Sequence, residues 1–187
     1  MNITKEIIDY NKHKIDIDKW INIKGEIKYL EFAKILEDIN CECTWKNVSN
    51  LYRYDKRLQI NIFKYMSFFE EYIRAKLWNE NIFKEYEDLN KKTMNELIDY
   101  IYKNSNIIEK YFSCIEKDKF LNIKELRNII SHNDIVIKCE RNGNDYKHLI
   151  LDFYSVIPAE YKKGLKNDIC SCQKRLSIDK KFLVVFK

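Results

Sequence analysis

In the stretch KELRNIISHND, residues 124 to 134, a permanent cation, an amide, a hydroxyl and an imidazole stand within six positions. At about 100° per residue, Arg127, Asn128, Ser131 and His132 share an arc of roughly 140° on a helix, opposite the apolar Leu126, Ile129 and Ile130. A solvated face in this lysine-rich chain would more naturally carry Lys and Glu. On an RNA strand these side chains suit a specific reaction. RNA carries its own nucleophile, the 2′-hydroxyl beside the scissile phosphate, so cleavage needs no metal. It needs a base that works near neutral pH and a cation on the phosphorane, and histidine and arginine are the residue types that supply them. Asn128 lies four residues before His132, over the same spot on the helix, where it could orient the imidazole or bond the phosphate. One helix brings one His, whereas a general acid and a general base are both required, so a homodimer is the natural unit. The plainer alternative stays open: His132 caps a helix C-terminus or bonds within the core.

A second candidate pair is Glu70 and Arg74 in YDKRLQINIFKYMSFFEEYIRAKL. An acid four residues before a base is also the ordinary helix salt bridge, worth only a few tenths of a kcal/mol.

The elements that must position these residues read as helices. The 187 residues include three Gly and one Pro, too few turn-formers for an all-β fold. Hydrophobic residues at 45% and charged residues at 34% belong to a globular chain that can bury a core without staples. The abundant Ile, Lys, Asn and Tyr match an AT-rich coding sequence. A short helix is expected near the start, then a helix over 21–38 interrupted at Gly25, and a connection over 41–50. A long helix follows with Leu58, Ile62, Tyr65 or Met66, Phe69, Ile73 and Leu77 as its buried stripe, widened by Phe63 and Phe68. Another helix is expected over 94–112, a linker over 118–121 and the motif helix over 123–133. Residues 135–157 fit either a hairpin across Asn142-Gly143 or a Gly-containing loop and a new helix from Tyr146, the helical version being preferred. A last helix follows Pro158, and the tail SIDKKFLVVFK is unplaced. The expectation is one all-α domain over 1–187, its core over about 21–134 and a C-terminal helical extension over about 146–187.

The net charge of +5 is modest. It falls short of the basic excess of a duplex-DNA binder, so no DNA is expected, while a local patch would suffice for RNA. No apolar run reaches the ~18 to 20 residues of a membrane span, and the N-terminus lacks a signal-peptide core, so the chain is expected to be cytoplasmic, without a membrane partner. Cys41, Cys43, Cys114, Cys139, Cys170 and Cys172 would then be reduced. Their Cys-x-Cys spacing is wrong for a zinc knuckle, so scattered buried thiols and no metal or cofactor are expected.

The stretch RNIISHND resembles the Arg-Asn-three residues-His signature of the HEPN ribonuclease superfamily. Upstream, Asp55, Leu58, Glu70 and Arg74 are similar to the Asp, Leu and Glu-x3-Arg positions of the Abi-like (AbiD/AbiF) abortive-infection branch, and Asn133-Asp134 after the histidine resembles it too. The likeness covers about residues 54–134. It implies an HEPN-type helical bundle and a metal-independent endoribonuclease of anti-phage defence, with a structured noncoding RNA as a further partner. It assigns His132 to proton transfer, Arg127 to the phosphate, Asn128 to support of the site, Glu70 to orienting Arg127 and Arg74 to a second phosphate contact or a structural role; Ser131, on the same arc, is a further supporting or RNA-binding candidate. The sequence departs from the family in its first fifty residues. Asp134 also stands where HEPN toxins inactivated by a partner enzyme carry a tyrosine.

Overall fold

The computed structural model describes residues 3–112 and 116–186. Its architecture is all-α, as expected, with ten α-helices and one two-stranded ribbon among the described residues. Cys114, one of the expected thiols, lies outside the described residues. The chain divides into two compact units, one of 1–58 with 171–183 and one of 59–170 with 184–187. This partition cuts across the core and extension expected from sequence.

The first unit holds α1 (Ile3–Glu6), α2 (Tyr10–Lys24), α3 (Glu26–Asp38) and the opening turns of α4 (Trp45–Asn79). Gly25 joins α2 to α3 at φ 83° and ψ 145°, a conformation closed to side chains with a Cβ. What reads as one interrupted helix is therefore two, and α2 begins well before Ile21. The expected connection over 41–50 is also shorter, because α4 starts at Trp45. The Thr44 hydroxyl accepts from the Asn47 N–H at 3.3 Å and the Asp9 carboxylate accepts from the Trp45 N–H at 2.7 Å, so two of the helix's orphan donors are satisfied. The returning segment 171–183 is tied to α4 by its backbone. Arg57 donates to the carbonyls of Cys172 and Lys174 at 2.9 and 2.8 Å, and the Tyr54 hydroxyl donates to that of Phe182 at 3.1 Å.

The second unit takes the rest of α4, then α5 (Tyr86–Asn90), α6 (Met94–Lys103), α7 (Ser105–Tyr111), α8 (Lys117–Ser131), α9 (Tyr146–Val156) and α10 (Ala159–Ser171) up to Cys170. The α4 stripe is buried as its periodicity requires, with Leu58, Ile62, Phe69, Ile73 and Leu77 all fully enclosed. Phe63 is the correction: it is 57% exposed. The helix expected over 94–112 is broken at Asn104, whose side-chain amide donates back to the Tyr100 carbonyl at 2.7 Å and competes with the helical ladder. The expected linker over 118–121 is the first turn of α8. Between α8 and α9 both sequence readings hold in part. A ribbon pairs Glu140 with Asp145 and Arg141 with Asn144. Its turn, Asn142 at φ 52° and Gly143 at φ 78°, supplies the two positive φ values of a type I′ hairpin. Asp145 then caps α9, accepting from the N–H groups of Lys147 and His148 at 3.1 Å each.

Three helices end in the same way. Asn40, Asn81 and Asn133 each adopt positive φ, and the next residue donates back across the last turn, Cys41 to Leu36, Ile82 to Leu77 and Asp134 to Ile129. This is the Schellman arrangement, usually built on glycine. In a chain with three glycines, asparagine does that work, because its short polar side chain tolerates the left-handed region better than most.

Candidate functional site

The candidate site lies within the second unit, on α8 and α4. Leu126 and Ile123 are fully buried on the inner face of α8, and Asn122, also buried, binds the helix to the segment that follows it. Its amide donates to the Asp152 carboxylate of α9 at 2.6 Å, and its carbonyl accepts from Arg141 of the ribbon at 2.7 Å. With the inner face fixed by apolar and amide contacts, Arg127 and Asn128 are left half-buried and Ser131 and His132 exposed.

The end of α8 is held just as firmly. His132 is the C-terminal cap residue, its N–H donating to the Asn128 carbonyl at 3.0 Å. Asn133 at φ 58° turns the chain, and the Asp134 carbonyl accepts from the buried Gln59 of α4 at 2.7 Å. Ile135 and Val136 then bury themselves as an apolar plug. The backbone around His132 is therefore anchored on both sides while its ring faces outward. The helix-capping alternative is right about the backbone of His132, and it leaves the imidazole uncommitted. Of the three histidines, His13 meets Asp9 at 3.3 Å and His148 meets Asp145 at 2.9 Å. No such partner holds His132 among the described residues.

Arg127 opens onto a cavity of about 290 Å³ lined by Phe63, Met66, Ser67, Glu70, Glu71 and Arg74 of α4 and by Ile130 of α8. Three of the sequence-assigned residues, Arg127, Glu70 and Arg74, thus meet at one cavity, and Asn128, Ser131 and His132 are not part of its lining. Glu70 does not lean on Arg127 as expected. Its carboxylate pairs with Arg74 at 2.6 Å, the plain i,i+4 bridge, and Arg74 also donates to the Lys92 carbonyl at 2.8 Å. Arg74 is thereby a structural partner, tying α4 to the segment before α6. Its Nε is buried with no hydrogen-bond partner among the described residues. Arg127 has no ion pair among the described residues, so its fork of donors is available to an anion.

Sequence reasoning missed Phe63 and Gln59. The signal for Phe63 was present: positions 63, 67, 70 and 74 follow the i, i+4, i+7, i+11 spacing of one face, so it shares the polar stripe of Glu70 and Arg74 rather than the core stripe. Nothing in the sequence marked Gln59, whose role depends on a carbonyl 75 residues away. Among the described residues no cluster of three or more His, Cys, Asp or Glu gathers to hold a metal ion, and no helix is long and apolar enough to cross a membrane. No family model, curated protein or solved structure matches the chain.

Proposed function

We propose that this chain is a metal-independent RNA endonuclease of the HEPN type, acting as an abortive-infection toxin in anti-phage defence and restrained or guided by a noncoding RNA. The observation that carries the reading is the pairing on α8 of Arg127, which has no ion-pair partner among the described residues, with an exposed histidine on an anchored backbone, His132. In the reaction, His132 takes the 2′-hydroxyl proton and the 2′-oxygen attacks phosphorus. The P–O5′ bond breaks to leave a 2′,3′-cyclic phosphate and a 5′-hydroxyl, with Arg127 stabilising the phosphorane oxygens. The proton for O5′ comes from His132 of a second copy.

Support for that second copy lies beside the site. Ile60, 68% exposed, and Phe63 share a face of α4 with the cavity-lining Glu70 and Arg74, an apolar rim that a homodimer would cover. The role in defence and the noncoding RNA rest on the resemblance over residues 54–134.

A second reading is that the same surface grips RNA without cutting it. It is favoured by the single histidine that α8 brings to the site and by Glu71, whose negative charge also borders the cavity. The experiment is cleavage of labelled RNA in excess EDTA, with end analysis. The nuclease reading expects cyclic-phosphate ends and a loss of about 10²- to 10⁴-fold in His132→Ala with RNA affinity retained. RNA binding without any cutting by the folded wild type would leave the second reading.

A further inference from the structure

The first unit carries a site unrelated to His132. Trp20 and Lys24 of α2, Tyr29 of α3, and Trp45, Tyr52 and Arg53 of α4 surround a cavity of about 120 Å³. Its floor is a packed aromatic cluster: Tyr29 lies 5.2 Å from Trp45 and 5.1 Å from Tyr52 between ring centroids, and all three are buried. Trp20 is only half-buried and forms the open wall. The space is well below the ~300 to 1,000 Å³ that enclose a drug-sized ligand, so it takes one flat ring and leaves the rest of the molecule outside.

What stands outside is positive. Lys24 and Arg53 are exposed, and neither has an ion pair among the described residues. Lys24 bridges the mouth, its ammonium 5.9 Å from the Trp20 ring and 5.5 Å from that of Tyr52. Lys19 lies 5.7 Å from the Trp20 ring and Lys56 6.0 Å from that of Tyr52. Burial holds Lys56 below the ordinary lysine range, and the charges of Lys28 and Lys24 add to this against the pull of Asp55. A ligand bringing negative charge relieves that crowding. A cationic ligand in an aromatic cage would add to it, because amine heads already sit over the rings. Burial, and then Tyr52, push the Tyr29 hydroxyl up to about 12, so it stays protonated and adds no negative charge to the site.

We infer that this cavity binds an unpaired base of a single-stranded RNA, stacked on Trp20, with the flanking phosphates on Lys24 and Arg53. Aromatic stacking beside a cationic track is how single strands are held without sequence readout, and a base inside a duplex cannot enter. The choice of RNA as occupant rests on the reading in the preceding section, whereas the site itself is independent of His132.

The test uses a 2′-O-methylated single strand, which 2′-hydroxyl attack cannot cut, carrying a central 2-aminopurine. Binding to the full chain should quench the fluorophore. Trp20→Ala should abolish the quench and weaken affinity about tenfold, within the range of a lost stacked base, while Trp20→Phe, which keeps a stacking ring without indole's electron donation, retains most of the affinity. Lys24→Glu and Arg53→Glu, both on exposed positions, should weaken binding and flatten its salt dependence. Wild-type affinity and quench in a Trp20→Ala variant with unchanged circular dichroism would overturn the inference, as would absence of RNA binding. So would a tryptophan response to tetramethylammonium with none to RNA, which would identify a cation cage. If Trp20 proves irrelevant while metal-free cleavage persists, this inference fails and the nuclease stands. If binding depends on Trp20 and no RNA is cut, the nuclease fails and this site stands.

Discussion

At the scale of single residues, His132 and Asn133 divide the labour at the end of α8. The first is exposed, its ring without a partner among the described residues, and the second turns the chain at φ 58°. Asn133→Ala should cost about 1 kcal/mol, because alanine lacks the polar side chain that lets asparagine tolerate the left-handed region, and Asn133→Gly, which removes the Cβ altogether, should cost less. Urea denaturation of the two variants separates them; equal midpoints would refute the assignment. The same two variants bear on catalysis, because a turn that merely positions His132 should let Asn133→Gly cut RNA as wild type does. Arg127, Asn128, Ser131 and His132 were legible as one helix arc from spacing alone. The partner of Glu70 was not, since an i,i+4 arginine and a distant one are equivalent on paper, and only geometry gives the carboxylate to Arg74 at 2.6 Å.

At the scale of elements, periodicity found the helices and misjudged their joints. The α4 stripe was legible because six positions of consistent spacing agree with one another. The break at Asn104 and the start of α4 at Trp45 were not, because each depends on one side chain choosing a backbone partner. Helix contacts add a further constraint that sequence cannot carry. Gly164 of α10 lies against α4 so closely that a Cβ there would sit 2.6 Å from the Tyr65 hydroxyl. That hydroxyl is itself held, donating to the Asp168 carboxylate at 2.9 Å. Alanine normally improves a helix by about 1 kcal/mol over glycine. Here the clash should reverse the sign, with Gly164→Ala destabilising by about 1 kcal/mol net of that gain. Adding Tyr65→Phe, which removes the clashing oxygen, should recover most of it. A thermal melt in which Gly164→Ala raises Tm would show that the two helices part more easily than their packing implies.

At the scale of the whole molecule, the all-α class follows from composition, but the division into two units does not, because the boundary falls inside α4 where helical periodicity runs on without a mark. Several carboxylates are held by local partners, and acid should expose this. Lys64 holds the Asp168 carboxyl below its ordinary range, and Lys110 does the same for Glu80. Backbone N–H groups at Thr93 and Lys181 lower Glu96 and Asp179. At Asp145 burial pushes upward, but Lys147 and His148 outweigh it and the net shift is down. Depressed carboxylates bind protons more readily unfolded than folded, so their contribution is complete above the unfolded pKa of about 4 and is lost as pH falls through the folded values. Glu37, raised by burial and by Glu6, works in the opposite sense and only partly offsets them. Urea midpoints should therefore fall below about pH 4, and a flat profile from pH 5 to 3 would contradict the assignment. The first unit also closes on residues far along the chain, Arg57 on Cys172 and Tyr54 on Phe182. A ribosome adding roughly 5 to 20 residues per second reaches that segment several seconds after finishing Leu58. Until then α2, α3 and the start of α4 wait incomplete, so a message truncated before codon 171 yields not a shorter version of the protein but one whose opening segment was never closed.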